Sequence, residues 1–356
     1  MDAESFEPLA RSVHQVLSSA GPYDAVSVQA RLWRRLLSER GYGGADHAAA
    51  IDPRARAQFA PIKALAPAPG DLLVIRYSAH SRQLLPVLDL PQRKLLVYHN
   101  VTPPRYMWNH HAGVAVACAV GRTQLRRFVS AVDLAVGDSD HNAAELRAAG
   151  APAARALPIL FDSARLAERG RPPSGAGPLV LVVSRLAPNK RHDLVLAAFA
   201  AWQREHAPDA RLLCVGEALS PGFLHLIEGI AAGSDARGVT IAGGLSQADL
   251  NSAYAAADVL LSMSEHEGFS VPLLEAFHFG LPVVARPAGA MPEVGGDAVL
   301  WDRDDDLAVT AELIDLAVRD AELREELVGR GRARLEHFSY ERTAAAIAEA
   351  VQEALG

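Results

Sequence analysis

The sequence predicts an α/β protein built on two parallel sheets. Short apolar runs rich in β-branched residues alternate with longer amphipathic stretches, which is the pattern of strands linked through helices. Several of these runs are apolar on both faces, as strands buried between two helix layers are. The 356-residue length exceeds what a single core usually holds, so two domains are expected.

The expected strands of the first half are SVHQVLS (12–18), DLLVIRY (71–77), KLLVYHN (94–100), LAVGDS (134–139) and RALPIL (155–160). Those of the second half are PLVLVVS (178–184), ARLLCVG (210–216), GVTIAG (238–243), VLLSMS (259–264) and PVVAR (282–286). Between the halves, ERGRPPSGAGP (168–178) combines Gly, Pro and charge in a way that continues neither a helix nor a central strand. It sets the expected boundary: a first domain over 1–172 and a second over 173–338. The closing stretch 339–356 opens with Ser339 and Glu341 and runs through helix formers, so a final helix is expected there. No repeat of fixed period points to a solenoid or propeller.

Half the residues are hydrophobic and 22% are charged, a mixture that folds. The formal net charge of −7 argues against a broad phosphate-tracking surface, so nucleic acid is not an expected partner. The opening MDAESFEPLARS lacks the basic-then-apolar order of a secretory signal, and no uncharged apolar run approaches the ~20 residues that span a bilayer. The expected address is therefore cytoplasmic. Cys118 and Cys214 each lie in an apolar segment and read as buried reduced thiols. His110 and His111 have no matching Cys, Asp or Glu pattern, so a metal site is not expected.

Two constellations carry chemistry. In SMSEHEGFSVPLLEAFHFGLPVVA (262–285) a strand ends in a polar loop, Ser270 stands at an N-cap position, Pro272 fits a first helical turn, and Gly280 with Pro282 closes the helix. Glu267 then lies in the loop and Glu275 in the first turns, near a helix N-terminus at the carboxyl end of a parallel strand, where an anion binds. Two carboxylates suit such a place if each accepts hydrogen bonds from sugar hydroxyls flanking a diphosphate. In VVSRLAPNKRHD (182–193), Arg185 and Lys190 emerge where another strand ends and offer the cations a diphosphate needs. In the first half, KLLVYHN delivers His99 to the carboxyl end of its strand, just before a Pro-rich turn.

Together these motifs resemble the retaining glycosyltransferases of family four, the group 1 glycosyltransferases, which have the GT-B fold of two doubly wound, Rossmann-like domains facing across a cleft. Glu267-Gly268-Phe269 with Glu275 eight positions after Glu267 is similar to the principal signature of that family, followed by a GAMPE turn (289–293). The resemblance covers 178–301 and returns in YHNVTPP (98–104) and VGDSDHNAAEL (136–146). It implies that Arg185 and Lys190 hold the donor diphosphate, Glu275 the nucleotide ribose and Glu267 the transferred sugar. It further implies that backbone N–H groups of Gly268, Phe269 and Ser270 touch sugar or phosphate, and that His99 meets the reaction centre.

The implied activity is transfer of a hexose-type sugar, with retention, from a UDP- or GDP-sugar to a glycan, lipid-linked or small-molecule acceptor. This is work of cell-envelope or polysaccharide biosynthesis, in the cytoplasm and at the inner face of a membrane touched from its periphery. No cofactor and no essential metal are implied beyond the donor itself. The segment 339–356 would pack back on the first domain. A nucleotide-sugar epimerase, a sugar phosphorylase and a degenerate binding subunit share the fold and are the alternatives; a Rossmann oxidoreductase is disfavoured because no GxGxxG opens a helix. Ser184 and Ser270 stand where the family commonly has Gly. The first-domain loop SSAGPYDAVSVQ (18–29) has one Gly where many relatives have a glycine-rich loop.

Overall fold

The computed structural model describes residues 11–304 and 306–356, so most of the acidic opening segment lies outside the described residues. Two compact units are present. The first comprises the described residues up to Pro103 together with Val116–Leu160 and Thr343–Gly356; the second comprises Pro104–Ala115 and Phe161–Arg342.

The first unit is organised by a seven-stranded sheet of β1 (Val13–Ala20), β2 (Asp46–Ile51), β3 (Ala60–Pro61), β4 (Leu72–Tyr77), β5 (Arg93–Tyr98), β6 (Leu134–Gly137) and β7 (Arg155–Ala156), in the order β3-β2-β1-β4-β5-β6-β7. Every pairing is parallel. Its connections include α1 (Ala25–Glu39), α2 (Leu85–Leu88), α3 (Ala112–Ser130) and α4 (Asp140–Ala148). The second unit has six parallel strands, β8 (Leu179–Val183), β9 (Arg211–Val215), β10 (Val239–Ala242), β11 (Val259–Ser262), β12 (Val283–Ala285) and β13 (Leu300–Trp301), ordered β10-β9-β8-β11-β12-β13. They alternate with α5 (His192–Glu205), α6 (Pro221–Gly233), α7 (Gln247–Ala256), α8 (Val271–His278), α9 (Met291–Gly295), α10 (Leu307–Arg319) and α11 (Ala321–His337). A last helix, α12 (Tyr340–Leu355), buries Ile347 and Val351, and Glu353 on it pairs with Arg155 at 2.5 Å.

In each sheet the strand order reverses once, between β1 and β4 and between β8 and β11. At such a switch point the two following connections leave on opposite faces and open a crevice at the carboxyl ends of the strands, where ligands bind in doubly wound folds. The loops after β8 and β11 are those that carry Lys190 and Glu267.

The ten expected strands are present, most with trimmed boundaries, although β1 runs on to Ala20 and β5 starts at Arg93, and three more strands join them. β2 reads Asp-His-Ala-Ala-Ala-Ile, a composition of low strand propensity, and is a strand because β1 offers it a parallel partner from Gln15 opposite Asp46 onward. RALPIL contributes only Arg155–Ala156, since Pro158 has no N–H to donate. The boundary expected at 172/173 lies twelve residues beyond the 160/161 division. The segment leading into the expected linker is pinned to α7: Gly170 N–H donates to the Ala248 carbonyl at 2.8 Å and Arg171 N–H to Asp249 at 2.8 Å.

Candidate active site

The Glu267 loop is braced from three sides. Asn189 accepts from Glu265 N–H at 2.9 Å through its carbonyl and donates its side-chain amide to the His266 carbonyl at 3.2 Å. The Tyr106 hydroxyl donates to the Glu265 carbonyl at 3.2 Å. From the GAMPE turn, Ala290 N–H donates to the Glu267 carbonyl at 3.0 Å. Gly289 makes that turn possible: its φ is +54°, and a Cβ on it would lie 2.1 Å from the Glu267 carbonyl oxygen. Gly216 plays the same part for the loop after β8, where a Cβ would stand 1.9 Å from the Ser184 carbonyl oxygen.

These loops bring Lys190 and Glu267 together, Nζ to Oε1 at 2.6 Å, in a narrow cavity that Ser184, Ser264, Ser270 and Pro272 also line. A half-buried ammonium beside a carboxylate gives the cavity a donor that suits phosphate oxygens and an acceptor that suits hydroxyls. Arg185, expected to share the anion with Lys190, is exposed, makes no ion pair among the described residues, and is not in the cavity wall. Ser270 precedes α8 at φ +77° and does not cap the helix with its side chain as its position suggests. That left-handed backbone explains why glycine suits the position, and a serine there costs roughly 1 kcal/mol. Gly268 and Phe269 complete the turn into the helix, with Phe269 packed edge-on against Phe338.

Glu275 does not line this cavity. Only 5% exposed, it receives a hydrogen bond from Arg165 on Oε1 and one from the Tyr254 hydroxyl on Oε2 at 2.8 Å. No sequence motif announces either partner. Behind Lys190, His192 is buried with Nε2 3.3 Å from the Ser184 hydroxyl, and burial, aided by the nearby Lys190 charge, pushes its pKa down to about 4. An unfolded histidine titrates near 6.5, so the unfolded chain binds the extra proton first. Stability from this group is complete above about pH 6.5, falls as pH drops toward 4, and levels off below that. Urea unfolding should therefore show a loss of about 3 kcal/mol across that window that His192→Gln lacks. Parallel pH profiles for the two proteins would contradict this assignment.

In the first unit, His99 sits at the end of β5 with 5% of its side chain exposed. Its Nδ1 lies 2.7 Å from Asp138 Oδ2 and its Nε2 3.2 Å from Arg76 Nη1. A guanidinium has only donors, so Nε2 must accept and the ring proton resides on Nδ1, donated to Asp138. Both ring nitrogens are thus engaged inside the unit. Arg76 is fully buried, also donates to Gln15 at 2.8 Å, and stacks 4.5 Å from the Trp33 ring; burial lowers its pKa to about 10, against the opposing pull of Asp138. The neighbouring α1 N-terminus is closed by its own Asp24, which accepts from Ser27 N–H at 2.9 Å. Sequence reasoning singles out His99 but neither Arg76 nor Asp138. The signal was an arginine inside an otherwise apolar strand, since a buried cation demands partners.

Among the described residues, no group of three or more His, Cys, Asp or Glu side chains is placed to hold a metal ion, and no helix is long and apolar enough to cross a membrane.

Two doubly wound units with parallel sheets define the GT-B class of fold. Sucrose-phosphate synthase from Thermosynechococcus elongatus superposes with a TM-score of 0.75 at 17% identity, covering 96% of this chain and 99% of its own. Anabaena HepE, solved with UDP and glucose, gives 0.72 at 16% identity over 96% of this chain and all of its own. Residues 167–334 match the family described as glycosyl transferases group 1. A curated relative, the D-inositol 3-phosphate glycosyltransferase of Segniliparus rotundus, is 35% identical over 203 residues, which is 54% of this chain and 43% of that protein. The chain thus matches less than half the length of that relative.

Proposed function

We propose that the protein is a retaining glycosyltransferase that moves a hexose-type sugar from a UDP- or GDP-sugar to a glycan, lipid-linked or small-molecule acceptor. The observation that carries the reading is the Lys190–Glu267 pair at the β8/β11 switch point, with the buried Glu275 eight residues further on. Lys190, joined by Arg185 from its exposed position, holds the diphosphate. Glu267 accepts from hydroxyls of the transferred sugar, Glu275 from the ribose, and backbone N–H groups of Gly268, Phe269 and Ser270 reach sugar or phosphate. The leaving group is a nucleoside diphosphate, so the main assistance is electrostatic stabilisation of its growing charge. His99 lines the acceptor side with its ring held by Arg76 and Asp138, and carries no proton through its ring nitrogens. The donor is a substrate, and the reading requires no cofactor and no divalent metal. It places the work in the cytoplasm, at the inner face of a membrane where the acceptor is lipid-linked.

Thermal unfolding with UDP-, GDP-, ADP- and dTDP-sugars tests this reading. A donor at 100 times its dissociation constant should add about 2.7 kcal/mol of stability. With that donor and an acceptor, Lys190→Ala should lower turnover roughly 100-fold. A panel in which no nucleotide sugar stabilises the protein would overturn the reading.

A further inference from the structure

Glu275 is held by two residues outside its own helix. Arg165, on the turn Ser163–Leu166, bonds Oε1, and Tyr254, on α7, bonds Oε2 at 2.8 Å. Burial and the Glu275 charge keep the Tyr254 hydroxyl protonated well above its ordinary range, so it serves only as a donor to this carboxylate. Arg165 is itself fixed. Its Nη1 donates to Gln247 at 3.1 Å, while Asn251 holds the carbonyls of Arg165 and Glu168 at 3.0 and 2.9 Å.

Two donors leave about half of the acceptor positions of a carboxylate open. Beside it, Arg165 Nε is buried without a hydrogen-bond partner. A buried donor left unmade is costly, and here it adjoins an acceptor with capacity to spare. A hydroxyl answers both, because it donates to the carboxylate and accepts from Nε–H. We propose that Arg165 is a specificity-determining residue of the donor site: it fixes Glu275 and, with Nε, reads the vicinal diol of a ribose. The proposal rests on the glycosyltransferase reading. It adds a residue from the segment that enters the second unit at Phe161, outside the strand-loop-helix units that carry Lys190 and Glu267.

The test is calorimetric titration of the full chain with UDP and GDP, and with the 2′-deoxy and 3′-deoxy forms of whichever binds more tightly. Wild type should lose at least 30-fold in affinity when one of the two hydroxyls is removed. Arg165→Met should shrink that ratio below 3-fold while changing affinity for the deoxy form by less than 3-fold. Arg165→Lys, which keeps the charge beside Glu275 but has no Nε–H, should give an intermediate ratio, and it carries the test if the methionine variant does not fold. A merely structural arginine would weaken both ligands together. An undiminished ratio in the variants overturns the proposal alone, and a wild type that ignores both hydroxyls overturns it together with the ribose role given to Glu275. A wild type that binds neither UDP nor GDP overturns the donor reading and the proposal with it.

Discussion

Alanine at Gly289 should destabilise the protein by about 3 kcal/mol and abolish sugar transfer. The residue sits at φ +54°, where any side chain costs roughly 1 kcal/mol. Its added Cβ would lie 2.1 Å from the Glu267 carbonyl oxygen, and that obstacle is backbone, which cannot rotate aside as a flexible side chain would. The conflict is relieved only by separating the turn from the loop, which breaks the Ala290 N–H to Glu267 hydrogen bond and leaves buried backbone groups unpaired. The same displacement carries the Glu267 carboxylate away from Lys190 Nζ. Urea unfolding should show a lower midpoint at unchanged slope. Gly243→Ala is the control, because nothing lies within 4 Å of its added carbon. Equal stability of the two variants would mean that the Gly289 approach does not brace the site.

Legibility in the sequence followed the reach of each interaction. β8 and β11 are readable because Leu and Val on both faces mark a buried strand without reference to anything distant. β2 is not, since three alanines and an aspartate become a strand only when β1 is beside them. The segment 168–178 reads as a free linker from its Gly and Pro alone, whereas its leading residues are held by Ala248 and Asp249, some eighty positions away. Pro104–Ala115 has no local mark that assigns it to the second unit, yet Tyr106 bonds the Glu265 carbonyl. At the site, Glu267 and Glu275 stand in a motif of fixed spacing on one loop and the helix that follows it, so both can be found from the sequence. Residues that hold a site side chain in place, as Arg165 and Tyr254 hold Glu275 and Arg76 holds His99, answer to a partner far along the chain and leave no spacing to find.

Asp138→Asn should cost about 3 kcal/mol, more than the loss of one ordinary hydrogen bond, because it strands a buried cation. The asparagine can still accept the His99 Nδ1 proton through its amide oxygen, so the change removes charge and little else. Arg76 is then left fully buried, with Nη2 already lacking a partner and its remaining nearby carboxylate, Asp46, bonded at 2.6 Å to Arg34. Arg76→Met removes the cation while filling most of its volume against Trp33. It should therefore rescue the Asp138 variant: the double variant should be more stable than Asp138→Asn alone by at least ~1 kcal/mol, a coupling within the range for residues of one network. Hydrophobic replacement of a buried charge is tolerated when its counter-charge leaves with it, and penalised when the counter-charge stays. Urea unfolding of the four proteins measures the coupling directly. Strict additivity would mean that Asp138 does not balance Arg76, and that the hydrogen bond between Arg76 and His99 orients the ring without drawing on that carboxylate.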